Sequence, residues 1–407
     1  MNAEKYLLSI PSKQIKYDLT RTLRLLKACK NPEKEILSIQ IVGTNGKGSV
    51  SAFLAKILDD GGYKVGLYTS PHLVNLKERI RINFKMISEK TIQSFLNQYK
   101  LKIAKIKPSF FELMTVLAIW HFRQQKVDIA ILETGLGGRL DSVTACKNDY
   151  ILFTSISLDH EDILGPTLSK IAKEKGGAIT NNQQTCIGVN QPRIIREVLI
   201  AEARRADNRI NFLPKSFNPL KEYNFKYLKG EHQYLNASLA YAAIERLAQE
   251  KIITIDKKNI IQSLKLTTWP GRFQIISKKP TIIYDVAHNR EGLESFIKTF
   301  KNIKYKKRKI LILGFENNKK ITETLQRLDY LFDCIICTET GVRKSMPAED
   351  IYNLLNNKKS IIIKDVNSAL QYALNQSDTN TIISIIGSHF FAPYINNNYQ
   401  NCFAINK

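Results

Sequence analysis

Acidic residues are scarce in this chain. Its 407 residues carry 37 Asp and Glu against 61 Lys and Arg, a formal net charge of +24. Such an excess opens three partner classes: nucleic acid, a membrane surface, or an anionic small ligand. Lys, Ile and Asn are abundant throughout, however, and a general compositional bias of that kind supplies lysines without any partner. No Lys/Arg block exceeds "KYKKRK" (Lys304–Lys309), which directly precedes an expected strand, and no nucleic-acid-binding motif accompanies the charge, so nucleic acid is not an expected partner. Long apolar runs are missing too. None approaches the roughly 18 residues of a membrane helix. The opening Met-Asn-Ala-Glu-Lys lacks the basic segment and apolar run of a signal peptide. Neither a membrane partner nor export is expected. The six cysteines are scattered. Cys334 and Cys337 form a CxxC inside "YLFDCIICTET", where positions three apart on a strand face opposite sides. With no second ligand pair, a metal or redox role is not expected, and a reduced, cytoplasmic setting is. Repeats of solenoid length are absent. What remains, with 43% hydrophobic and 24% charged residues, is an ordinary soluble composition with room for two or three domains.

The pattern along the chain is strand, turn, helix, repeated. "ILSIQIVG" reads as a buried strand, and "SVSAFLAKILDDGG" as a helix stopped by Gly61-Gly62. "KVGLYTS", "VDIAILET" and "YILFTSISLD" are further strands. "FFELMTVLAIWHFRQQ", "HEDILGPTLSKIAKEKGGA" and "HQYLNASLAYAAIERLAQE" carry helices. The alternation predicts a parallel sheet covered by helices on both faces. It breaks at "TTWPGRFQ", a turn signal between a helix and a strand. It then restarts with "TIIYDVAHN", "KILILGF", "DCIICTET", "KSIIIKD" and "TIISIIGS", a second, smaller α/β unit. The tail "YINNNYQNCFAINK" is polar and suggests nothing.

Ligands of such sheets sit outside the carboxyl ends of the strands. The first strand is followed by "GTNGKGS". This is not the usual P-loop, which places four residues between its first Gly and the Gly-Lys. Only Thr44 and Asn45 separate Gly43 from Gly46, and Gly48 intervenes between Lys47 and Ser49. Gly46 and Gly48 would still let the backbone approach phosphate oxygens, Lys47 supplies a point charge, and a helix N-terminus attracts anions. A tight strand-to-helix turn is the alternative. Ser70, held before Pro71, can join a magnesium shell or simply start a loop. Glu133 ends its strand as a buried carboxylate, costly unless paired or metal-bound. His160 is a candidate metal ligand if its strand lies next to that of Glu133, and an ordinary surface His otherwise. Lys175 is either a helix-terminal cation favoured by the dipole or part of this edge. In the second unit, Arg272 suits a phosphate clamp and Asp285 a ribose hydroxyl, or both are surface charges. Together these residues describe a magnesium–ATP site.

The string resembles the folylpolyglutamate synthase / dihydrofolate synthase family of the Mur ligase superfamily. The motifs are "VGTNGKGSV", "YTSPHLVNLKERIRIN", "FFELMTVLAIWHF", "ILETGLGGRLD", "SISLDHEDILGPTLSKIAKEKGGAI", "HQYLNASLAYA", "PGRFQ" and "YDVAHN". The resemblance implies a P-loop-type parallel-sheet ATPase domain over residues 1–269 and a smaller Rossmann-like glutamate-ligase domain over 270–407. It implies a ligase that phosphorylates a pterin-linked carboxylate with ATP and joins the acyl phosphate to L-glutamate. By position, Gly46, Lys47, Gly48 and Ser49 match the ATP loop, and Ser70, Glu133 and His160 the magnesium ligands. Lys175 matches a lysine that becomes carbamylated, and Asn236, Arg272 and Asp285 match adenine, phosphate and ribose contacts. Lys47, His160 and Lys175 are thereby the expected catalytic groups. Ser109, Phe110 and Phe111, with Leu140, Asp141 and Ser142, fall where dihydropteroate or folate is held. Two departures stand out: "SVTA" follows "GRLD" where Ala-Thr-Asn is common, and Gly176-Gly177 replaces Ala-Gly after "KEK".

Two other readings compete. A muropeptide ligase carries a UDP-binding domain before the ATP loop, and only 42 residues precede Gly43. A non-catalytic ATP-binding or nucleic-acid-binding protein of the same fold would be favoured by loss of Glu133, His160 or Lys175, all of which are present. The motifs do not separate addition of the first glutamate from chain extension. A monomer is the expected state.

Overall fold

The computed structural model describes residues 3–10, 18–217, 219–303, 308–316, 321–342, 344–355 and 359–405. Residues 304–307 of the basic block lie outside this set, and Arg308 and Lys309 open a strand. The chain forms two compact units. One comprises Met1–Asn224 and Tyr234–Thr267, the other Phe225–Gln233 and Thr268–Lys407.

The first unit is built on an eight-stranded sheet. Its strands are β1 (Leu37–Val42), β2 (Val65–Tyr68), β3 (Ile80–Ile82), β4 (Lys85–Met86), β5 (Ile129–Glu133), β6 (Tyr150–Phe153), β7 (Thr185–Gly188) and β8 (Asn211–Phe212). The order is β4-β3-β2-β5-β1-β6-β7-β8. Pairing is parallel from β2 to β8, and β3 and β4 add an antiparallel edge. Strands β1, β5 and β6 sit at the centre and are apolar nearly throughout, as strands covered on both faces must be. Helix Phe110–Gln124 is almost entirely buried among them and their neighbours. Leu113, Leu117 and Phe122 are fully enclosed, each contributing roughly 1.5–3 kcal/mol by leaving water. Its start is set by a capping box: Ser109 Oγ accepts the Glu112 N–H, and Glu112 Oε2 accepts the Ser109 N–H.

The second unit holds a six-stranded sheet. It comprises β9 (Gln274–Lys278), β10 (Thr281–Asp285), β11 (Arg308–Leu313), β12 (Cys334–Cys337), β13 (Ser360–Ile362) and β14 (Thr381–Ile386). The order β13-β12-β11-β14-β10-β9 is parallel except for β9, which pairs antiparallel to β10. Both CxxC cysteines are free thiols on β12, with Cys337 buried. The polar tail is not idle: Gln274 Nε2 donates to the Cys402 carbonyl at 2.6 Å, and the Phe403 ring lies 5.5 Å from that of Tyr284. It covers the β9–β10 hairpin. Among the described residues, no helix is long and apolar enough to cross a membrane.

Candidate active site

The register places four strand ends at one level. Ile41 pairs with Glu133, Val42 with Phe153, and Leu132 with Tyr68. The loops bearing Gly43–Ser49, Ser70, Glu133 and His160 therefore leave the same edge of the sheet. Glu133 and His160 do not follow adjacent strands, however. β1 stands between β5 and β6, because a doubly wound sheet grows outward in both directions from its first strand.

Gly46 caps helix Lys47–Asp60 with φ 89°, and a Cβ there would run into the side chain of the buried Asn236. Gly43 is equally confined, since a Cβ would meet the Thr154 hydroxyl. Thr44 ties the loop to the segment after β6. Its N–H donates to the Ser155 carbonyl at 2.7 Å and its hydroxyl to the Ser157 carbonyl at 3.1 Å. Lys47 Nζ folds back onto the carbonyls of Gly43 (3.1 Å) and Thr44 (3.0 Å). The Ser49 hydroxyl is buried without a hydrogen-bond partner among the described residues. An orphaned hydroxyl in the first turn of a helix is costly, and phosphate or metal-bound oxygens would satisfy it. The loop therefore fits a nucleotide phosphate.

Lys175 lies near the end of helix Leu168–Gly176, and its Nζ donates to the Gly43 carbonyl at 2.7 Å. It is 5% exposed. Burial, then the neighbouring Lys47, pushes its pKa down to about 7. The glycine loop after β5 is fastened to this same helix end. The Arg139 N–H donates to the Glu174 carbonyl at 2.8 Å, Arg139 Nη2 pairs with Glu174 Oε1 at 2.9 Å, and a Cβ on Gly138 would lie 2.6 Å from the Lys175 carbonyl. The Gly-Gly after "KEK" has a local cause. A Cβ on Gly176 would press on Glu202 at 3.0 Å, and one on Gly177 on Arg139 at 2.6 Å.

Glu133 is buried, and its Oε2 accepts the Ser70 N–H at 3.1 Å. The Ser70–Pro71 peptide is cis. His160 is exposed, adopts a left-handed φ of 51°, and donates its N–H to Asp159 Oδ1 at 2.9 Å. Among the described residues, no three His, Cys, Asp or Glu side chains group to hold a metal ion by themselves. A hard cation such as Mg²⁺ is commonly bound through one or two carboxylates together with substrate phosphates, and Glu133 beside the Ser49 loop suits that donor set.

Beside this edge lies a cavity of about 480 Å³. Its walls include Ser109, Phe111, Leu140, Asp141 and Ser142, five of the six residues placed at the pterin from the resemblance; Phe110 is not among them. Sequence reading missed Asp18, Glu112 and Glu174 in the same walls; for Glu112 the capping pattern Ser109-Phe-Phe-Glu112 was the available signal. Asp141 Oδ2 accepts the N–H groups of Gly135 and Leu136, and its Oδ1 that of Val143. Burial nevertheless raises its pKa to about 6. Ser142 Oγ accepts from the Thr22 hydroxyl at 3.2 Å. A larger cavity of about 580 Å³, between β8 and helix Glu231–Gln249, holds none of the predicted site residues.

In the second unit, Asp285 ends β10 and accepts the N–H groups of Phe273 and Ala287, each at 2.8 Å. Burial raises its pKa, opposed by Arg272. Its visible work is to hold the Gly271–Phe273 turn, in which Gly271 (φ 72°) and Phe273 (φ 44°) are left-handed and Arg272 Nη1 donates to the Gly271 carbonyl at 3.2 Å.

Two family descriptions set the class: the Mur ligase middle domain matches residues 41–244, and the Mur ligase glutamate ligase domain residues 271–389. The dihydrofolate synthase/folylpolyglutamate synthase of Bacillus subtilis is 30% identical, over 93% of this chain and 94% of its own. The structure of Escherichia coli FolC in complex with DHPP and ADP matches with a TM-score of 0.85 at 27% identity, covering 97% of this chain and 96% of that one. The bifunctional folylpolyglutamate synthase/dihydrofolate synthase of Yersinia pestis, complexed with AMPPNP and Mn, matches at 0.84 and 25% identity, with 97% and 96% covered. The chain belongs to the dihydrofolate synthase/folylpolyglutamate synthase family of the Mur ligases.

Proposed function

We propose that this protein is an ATP-dependent ligase that joins L-glutamate to dihydropteroate, to a folylpolyglutamate, or to both. The observation that carries the reading is the meeting, at one sheet edge, of a phosphate-fitting loop with an orphaned Ser49 hydroxyl, a buried Lys175 and Glu133, beside a cavity of about 480 Å³. A carboxylate is a poor electrophile. Its oxygen attacks the γ-phosphorus of ATP, ADP leaves, and the acyl phosphate is then attacked by the glutamate amine. Phosphate departs with the former carboxylate oxygen, and the amine loses a proton as the amide forms. Phosphoryl transfer of this kind needs positioning and charge neutralisation more than covalent help. Gly46, Lys47, Gly48 and Ser49 hold the phosphates, and Asn236, packed over Gly46, is assigned to the nucleotide. Ser70, Glu133 and His160 are assigned to a divalent ion, which when bound neutralises phosphate charge and orients the γ-phosphate. Ser109, Phe111, Leu140, Asp141 and Ser142 are assigned to the pterin-bearing substrate. Arg272 is assigned to nucleotide phosphate, with Asp285 holding the turn that presents it. The protein is further proposed to act as a cytoplasmic monomer with small-molecule partners only.

Lys175 is proposed to be carbamylated. Its pKa of about 7 leaves a neutral amine, which adds to CO₂, releases a proton and becomes a carboxylate beside Lys47. The Lys175→Ala variant should lose most activity and regain part of it with added short carboxylic acids; full activity in that variant refutes the carbamate. The ligase reading is tested by phosphate release with ATP, Mg²⁺ and L-glutamate, with dihydropteroate and a reduced folate run side by side. No release with either would overturn it.

A further inference from the structure

Arg79 forms no ion pair among the described residues, although the Glu133 and Glu78 carboxylates are near enough to favour its charge. It closes the turn Leu76–Arg79 and leads into β3, and its carbonyl accepts the N–H of Thr69 at 3.0 Å. The next residue, Ser70, donates its N–H to Glu133, so Arg79 is anchored one residue from the ligase edge. Its Nε donates to His72 Nδ1 at 2.9 Å, and its guanidinium carbon lies 5.2 Å from the centroid of the Phe110 ring. A nitrogen that accepts carries no proton, so His72 in this arrangement is neutral and fixes the guanidinium without cancelling its charge. Glu133 and Glu78 favour that charge from nearby without forming an ion pair with it, and the hydrogen bonds of Glu78 are spent elsewhere. The Glu78 carboxylate accepts the N–H groups of Leu73, Val74 and Asn75 at 2.9, 3.0 and 2.7 Å. Arg79 is partly buried, yet its fork remains available for an anion. Phe110 is flanked by Ser109 and Phe111, both of which wall the 480 Å³ cavity. The guanidinium thus lies between the cavity wall and the edge bearing Ser70 and Glu133.

A substrate whose ring system fills the cavity must extend its carboxylate toward the phosphate loop to be phosphorylated. We propose that Arg79 receives that carboxylate, gripping it through the guanidinium fork and aiming one oxygen at the nucleotide. The anion is the carboxylate at the end of a pterin-bearing aryl group, whether it belongs to dihydropteroate or to a glutamate already attached. This inference rests on the ligase reading and adds the residue that selects the reacting group. Arg79 is a substrate-binding residue in this account, with His72 and Phe110 positioning it.

The test compares binding of the substrate that the wild type turns over with binding of its carboxamide analogue, followed by pterin fluorescence in the presence of ADP. Charge-assisted hydrogen bonds should make the wild type prefer the carboxylate by about 10- to 100-fold. Arg79→Gln should abolish that preference while leaving the carboxamide affinity unchanged. Persistence of the preference, or equal weakening of both ligands, would overturn the proposal, the second outcome marking a merely structural role. If Arg79→Gln does not fold, Arg79→Lys decides: it keeps the charge but loses the fork, and an unchanged preference there overturns the proposal. A wild type that releases no phosphate with any pterin carboxylate would fail the ligase reading instead, so the two failures are distinguishable.

Discussion

Replacing Lys175 by Met should destroy activity and stabilise the fold. The buried ammonium is held at a pKa of about 7 against an ordinary 10.5, first by burial and then by Lys47. At about 1.36 kcal/mol per pH unit, that difference corresponds to about 5 kcal/mol withheld from the native state. The sign follows from linkage. Between about pH 7 and 10.5 the unfolded chain binds a proton that the native protein lacks, so stability falls as pH drops through that window and the penalty is complete below it. Met removes the penalty but also the hydrogen bond to the Gly43 carbonyl, worth about 1–3 kcal/mol. Gly43 keeps its second donor, Lys47. The net gain at pH 7 is therefore about 2–4 kcal/mol, or about 2–4 °C in Tm for each kcal/mol in a unit of this size. Urea denaturation of both proteins in bicarbonate-free buffer at pH 7 and pH 10 measures it. The variant's advantage should shrink at pH 10, and added bicarbonate at neutral pH should stabilise the wild type alone. A variant less stable than the wild type at pH 7, or an advantage independent of pH, would refute the reasoning.

Ser49→Ala removes a buried hydroxyl that has no partner, so thermal stability should hold or rise slightly while phosphate release falls at least about 10-fold, as steady-state kinetics would show. Gly46→Ala forces a side chain into the left-handed region and against Asn236; calorimetry should show ADP binding lost and stability reduced by about 1–3 kcal/mol. Asp285→Ala strips the acceptors from the Phe273 and Ala287 N–H groups and should lower the Tm, whereas Arg272→Ala, which keeps those acceptors but removes the cation that opposes the burial of Asp285, should lower it less and raise the KM for ATP about 10-fold. Equal Tm values for the two variants would remove the positioning role given to Asp285.

Much of the fold is legible in the sequence, because it is local. The apolar runs of β1, β5, β6, β10, β11 and β14, and the glycine stop after Asp60, follow from hydrophobic period and turn chemistry within a few residues. The antiparallel edges β3–β4 and β9 were not legible, since strand direction depends on which neighbour is reached. The packing of Phe403 onto Tyr284 was hidden for the same reason. The site divides likewise. Gly46, Lys47, Glu133 and Lys175 were marked by type and by position at strand or helix ends. Tertiary structure decided that β1 separates the strands leading to Glu133 and His160, that Gly46 faces Asn236 across the chain, and that Lys175 reaches the Gly43 carbonyl from a helix over a hundred residues away. Residue identity settles which groups can bind phosphate or lose a proton. Burial and neighbouring charge settle which of them do, and those exist only once the chain has folded.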